Sequence, residues 1–162
     1  MKRLSLLLLI LITSAVSLMA QDNPQKLNLP NGWNRFTING IYYDVEIQDG
    51  RIHGKGNVTW PDGSSYSGAW NNNQISGPGT YKWSNGDRYE GSFRNNKRHG
   101  YGTMYWNDGS KYGGVWKEDK RHGKGRMWHT DGKFEKGLWA DNQYLGPKKK
   151  KSDDTRENVA TK

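Results

Sequence analysis

The sequence predicts an all-β fold: an elongated, single-layer antiparallel meander of stacked β-hairpins. Three observations predict it. Tyrosines recur at Tyr43, Tyr66, Tyr89 and Tyr112, each 23 residues after the last, and a fixed period of this length marks stacked supersecondary units. Turn-forming pairs recur in phase with them, at Asn39-Gly40, Asp62-Gly63, Asn85-Gly86, Asp108-Gly109 and Asp131-Gly132. Between those turns the residues alternate with the period of two that belongs to strands, and nothing from Asn39 to Trp139 has a helical period.

Composition agrees. A chain of 162 residues has room for one domain and its tails. Beyond the first twenty residues Leu, Ile, Val and Phe are scarce, whereas Gly, Trp and Tyr are abundant. That balance suits strands faced with aromatic rings better than an aliphatic core wrapped by helices. The absence of cysteine excludes disulfides, thiolate metal sites, a cysteine nucleophile and a lipoprotein anchor.

Residues 1–20 read as a secretory signal peptide: Lys2 and Arg3, an apolar run from Leu4 to Ile12, then a small and polar stretch to Ala20. The run is too short to span a bilayer by itself. Cleavage is expected after Ala20, with Ala15-Val16-Ser17 as a second site and an uncleaved anchor as the alternative. No transmembrane segment remains after that cut. Residues 21–32 form a polar linker with two prolines. Residues 33–38 alternate as a strand and are assigned as an N-terminal cap to a repeat domain spanning 33–146.

Within each unit the first strand carries Tyr66, Gly68 and Trp70 on one face. The next copies carry Tyr89, Gly91 and Phe93, then Tyr112, Gly114 and Trp116, with Trp139 in phase in the last. The second strand holds Gly77 and Gly79, Gly100 and Gly102, or Gly123 and Gly125, and ends at Trp83 or Trp106, with His129 in the last place. Two short strands joined by a loop of about five or six residues account for each unit. The strand glycines are expected to clear space for rings lying across the backbone. Residues 147–162, opening on Pro147 and four lysines, read as a basic disordered tail, with weak tethering to a surface as the alternative.

The combination Tyr-x-Gly-x-Trp, a loop, His-Gly-x-Gly, an aromatic and Asp-Gly resembles the MORN repeat family over about residues 39–146. The resemblance implies rows of β-hairpins acting as scaffolds, for which binding of anionic phospholipids is often proposed. The first copy departs from the pattern at Val45 and Ile47. The last has Glu135 in the tyrosine place with Phe134 one residue early, so a bulge or register shift is expected there.

Charge is uneven. Of the net +9, residues 1–20 hold +2, the tail from Lys148 holds +3, residues 21–86 are neutral and residues 87–147 hold +4. The candidate binding residues are therefore Lys97, Arg98, Lys120 and Arg121 at hairpin tips, with Arg94, Lys117 and Lys124 nearby, forming a positive row along one sheet edge. The alternative is a solvated loop. A protein partner is the leading expectation, with anionic lipid head groups or acidic polysaccharide as the alternative; export makes nucleic acid a poor fit. Trp70, Tyr81, Trp83, Trp106 and Trp116 are expected to pack the sheet, with a ligand groove as their other reading. The two open sheet edges leave self-association available.

No enzyme, cofactor or metal is expected. His53, His99 and His122 occupy the same place in their copies, with Ser76 in the second; equivalent positions in adjacent hairpins should lie ~9.6 Å apart, whereas two nitrogens on one zinc lie roughly 3–3.5 Å apart. Asp62, Asp108 and Asp131 alternate with asparagine in their turns, which serves a turn and cannot act as a general base.

Overall fold

The computed structural model describes residues 26–147. The leader read at 1–20 and the lysine run lie outside them. Eleven strands form one antiparallel sheet in chain order: β1 (Gly32–Ile38), β2 (Ile41–Gln48), β3 (Arg51–Thr59), β4 (Ser65–Asn71), β5 (Gln74–Lys82), β6 (Arg88–Arg94), β7 (Lys97–Tyr105), β8 (Lys111–Lys117), β9 (Lys120–Trp128), β10 (Phe134–Ala140) and β11 (Gln143–Gly146). No helix occurs among the described residues. The end of the segment read as linker docks on this sheet: Leu27 donates its N–H to Gly50 O at 2.7 Å, and Leu27 and Leu29 pack against the core.

From β3 onward two kinds of turn alternate along the meander. The Asp-Gly turns are held by their own side chain, as where Asp62 Oδ1 accepts the Ser64 N–H at 2.9 Å and the Ser64 hydroxyl at 2.6 Å. The other ends differ from expectation. The loops expected to hold five or six residues are two-residue turns at Asn72-Asn73, Asn95-Asn96, Glu118-Asp119 and Asp141-Asn142, every residue having φ between 46° and 72°. That pair of left-handed residues closes a hairpin with the strands' own twist. Lys97, Arg98 and His99 consequently open β7, and Lys120, Arg121 and His122 open β9.

The glycine pair in the second strand has two distinct jobs. Gly77 has φ +103° and sits where the β4–β5 register shifts, a bulge that an L side chain would strain. Gly79 is sterically required: a Cβ there would fall on the Tyr66 ring. Tyr66 lies across Gly68 and Gly79 and donates its hydroxyl to Ala69 O at 2.9 Å. Tyr89 and Tyr112 repeat the arrangement, donating to Ser92 O and Val115 O at 3.1 Å. The expectation that glycines make room for rings is correct for this second glycine.

The buried tyrosines and their neighbours form a continuous ladder. Trp70, Tyr66, Phe93, Tyr89, Trp116, Tyr112 and Trp139 meet edge to face in that order, with centroids 5.0–5.5 Å apart. Tyr81 is also buried, while Trp83 and Trp106 are half-buried and packed against the core. Before the ladder the core is aliphatic, at Val45, Ile47, Ile52 and Val58.

At the far end the expected register shift between Phe134 and Glu135 does not occur. Phe134 pairs with Trp128, Glu135 with Met127 and Gly137 with Gly125 without interruption. The in-phase Asp131-Gly132 turn fixes that register, so Glu135 stands in the tyrosine slot and Phe134 points to the opposite face. Glu135 is held there by His129 at 2.9 Å and Lys133 at 2.7 Å, and the contact to Trp139 is made by Tyr144 from β11.

Candidate functional site

Successive hairpins are clasped at their tips. The second residue of each two-residue turn, Asn73, Asn96, Asp119 or Asn142, donates its N–H to the carbonyl of Ile52, Ile75, Arg98 or Arg121 in the preceding hairpin, at 2.9–3.1 Å. Its side-chain oxygen accepts the N–H of the same residue, at 2.7–2.9 Å. The clasp recurs with the 23-residue period and places Arg98 and Arg121 in slots that the earlier copies fill with isoleucine.

This placement changes what the candidate basic residues can do. Arg98 bonds Asp119 Oδ1 at 3.0 Å, with 17% of its side chain exposed, and its guanidinium lies 4.4 Å over the Trp116 ring. Arg121 donates to Asn142 O at 3.0 Å and lies 4.5 Å over Trp139; burial pushes its pKa below the usual arginine value. Lys97 pairs with Glu118 at 2.8 Å and Lys120 with Asp141 at 3.5 Å. The hydrogen bond and charge of Lys97 hold the Glu118 carboxyl below its ordinary range. The expected row of free positive charge is therefore mostly engaged within the fold. Of the candidates, Arg94, Lys117 and Lys124 are exposed with no ion pair among the described residues.

The turn carboxylates serve their turns: the Ser110 hydroxyl, then the Ser110 N–H, hold the Asp108 carboxyl below its usual range. His99 Nδ1 is buried 3.5 Å from Glu118 Oε1, too far for a hydrogen bond. No group of three or more metal-ligating side chains occurs among the described residues.

The sheet's other face presents a second set of side chains. Cross-strand register aligns Thr59, Ser65, Lys82, Arg88, Tyr105, Lys111, Trp128 and Phe134 into one row across the strands. Along it Arg88 lies 4.4 Å over Tyr105 and Lys111 4.5 Å over Trp128, whose ring meets Phe134 at 5.3 Å. Towards β7–β10 this outer face also holds Tyr101, 72% exposed, and Phe134, 50% exposed. Lys111, Lys124, Arg126 and Lys136 stand among them, each without an ion-pair partner among the described residues.

A family model described as MORN repeat matches residues 46–65, 66–88, 89–111 and 112–134, more than half of the chain. The chain belongs to the MORN repeat family. A comparison with curated proteins gave no match. MORN repeats often mediate protein or membrane-lipid contact, and the family is in general non-catalytic. No helix among the described residues is long and apolar enough to cross a membrane. Within these MORN repeats sequence reasoning overlooked the outer-face row. Its signal was present: the row lies three residues before and three after each turn Asp or Asn, at 82 and 88, 105 and 111, 128 and 134.

Proposed function

We propose that this chain is an exported, non-catalytic MORN scaffold that binds a partner protein of acidic surface across the outer face of β7–β10. One observation carries the reading. Among the described residues no second layer covers the outer face of the sheet, and there Tyr101 and Phe134 stand exposed among Lys111, Lys124, Arg126 and Lys136, which have no ion-pair partner among those residues. Exposed rings ringed by one sign of charge suit a partner interface. Export rests on the order of basic, apolar and small residues in 1–20. The same mixture of cations and apolar side chains supports a second reading, contact with anionic lipid head groups.

Affinity capture from the cell of origin tests this, comparing the wild-type chain with Arg126→Glu/Lys136→Glu and with Tyr101→Ala. A partner retained by wild type in low salt and lost by both variants is the expected result. Retention of the same partner by both variants overturns the assignment to this face. Sedimentation with phosphatidylglycerol vesicles but no captured protein selects the lipid reading.

A further inference from the structure

The four copies differ at the hairpin tips in a way that exposes a missing charge. Three positions meet there: the first residue of the second strand, the histidine place two residues on, and the first residue of the next tip. In the third copy these are Lys97, His99 and Glu118, and the carboxylate bonds Lys97 Nζ at 2.8 Å while lying 3.5 Å from His99 Nδ1. In the fourth they are Lys120, His122 and Asp141, with lysine and aspartate 3.5 Å apart. The second copy has Gln74, Ser76 and Asn95, neutral throughout. Basic groups and a carboxylate therefore occur together or not at all in these three copies.

The first copy breaks the rule. Arg51 and His53 supply the basic groups, but Asn72 stands where the third copy has Glu118. Arg51 Nε is buried with no hydrogen-bond partner. A buried donor of this kind, on a charged group, costs free energy until something accepts its proton. Arg51, His53 and Asn72 line a cavity of about 230 Å³ together with Lys26, Gln48 and Asp49. Asp49 makes no ion pair with any of these cations among the described residues. The cavity is smaller than the ~300–1,000 Å³ of pockets that enclose a whole ligand.

We infer that this cavity is a binding site for the carboxylate of an external ligand, which takes the place that Glu118 fills in the third copy. The Arg51 guanidinium, with Lys26 and His53 beside it in the lining, supplies the donors for that carboxylate. The occupant is a carboxylate because that is the group the equivalent cations hold elsewhere in this chain. The site is on the tip edge of the first copies, separate from the outer face of β7–β10, so either assignment can fail without the other.

Titration of the full-length chain with sodium acetate at constant ionic strength, followed by ¹H–¹⁵N NMR, tests the inference. Saturable shifts are expected at the Arg51 Nε–H and at the amides of His53 and Asn72, with none at Gln74 and Ser76. Asn72→Glu brings the carboxylate in from the chain itself and should abolish those shifts while raising the thermal midpoint. Glu118 already adopts the same left-handed conformation, φ 49° in both residues, so the substitution suits its backbone. Arg51→Gln, which copies Gln74, should abolish the shifts by removing the donor and keeps the test decisive if the first variant folds poorly. The site is overturned if acetate gives no saturable shift at Arg51, if either folded variant keeps the response, or if inorganic phosphate saturates the signals and acetate does not.

Discussion

The early and late repeats share a backbone and fill it with different chemistry. In the first two copies the clasped slot holds Ile52 and Ile75, both fully buried. In the last two it holds Arg98 and Arg121, whose guanidinium planes lie over Trp116 and Trp139. The same pair of backbone and side-chain hydrogen bonds closes the tip in every case. A periodic fold thus fixes where a side chain goes without fixing its polarity. It follows that positive charge in the later half is not by itself a map of a binding surface: part of it is interior packing, as arginine stems and planes allow.

The sharpest way to break this comparison is to remove the ring beneath an arginine. Trp116→Ala should cost about 3–5 kcal/mol, the range for truncating a buried tryptophan. It should cost more than Trp70→Ala, because Arg98 loses its platform while Ile75, opposite Trp70, loses only contact area. Equal losses in urea denaturation would mean that the two halves are energetically alike. Alkaline pH should act on both halves together. Burial pushes Tyr81 and Tyr112 up to about 12 and raises Tyr66 and Tyr89 further. The folded chain thus favours the neutral phenols, and its stability should fall as pH rises from about 10 through 12. Phenolate absorbance should appear together with loss of the near-ultraviolet dichroism; phenolate formation in a sheet still folded would contradict the burial. The smallest effect is expected for Arg98→Ile with Asp119→Asn, which rebuilds the early slot in the late repeats. Replacing a part-buried ion pair by apolar packing should change stability by no more than about 1–2 kcal/mol. Thermal midpoints at low and high salt should show the variant less salt-sensitive than wild type.

Much of the architecture was legible because one period ties tyrosines, glycines and turns together, and each agrees with the others. The tips were misread for a specific reason. Lys97-Arg98-His99 looked like loop because it is charged, yet Asn95-Asn96 before it already supplies the two left-handed residues a hairpin needs. Once the turn shrinks to two residues, Arg98 alternates onto the ring face, and its charge is no longer free. At Glu135 a single departure in the tyrosine place suggests a shift, whereas the in-phase Asp131-Gly132 and Trp139 on either side keep the register. In the sequence the outer-face row is less regular than the aromatics of the ring face. It becomes visible only when register shows which residues stand side by side, since Arg88 and Tyr105 are neighbours across strands and distant in sequence.

The tip clasp has a consequence for how long such a chain can be. Each copy bonds only to the one before it, and every link spans the same number of residues. Deleting residues 89–111 would join Arg88 to Tyr112, and each orphaned partner would meet its equivalent one copy further on. Duplication would work the same way. Nothing in the middle of the sheet counts copies. The count is set at the ends, where Phe36 stacks on Tyr43 and where Tyr144 closes over Trp139 beside a glutamate in place of the next tyrosine. Copy number in this architecture is therefore free to change by gene duplication or loss, provided that both terminating units are kept.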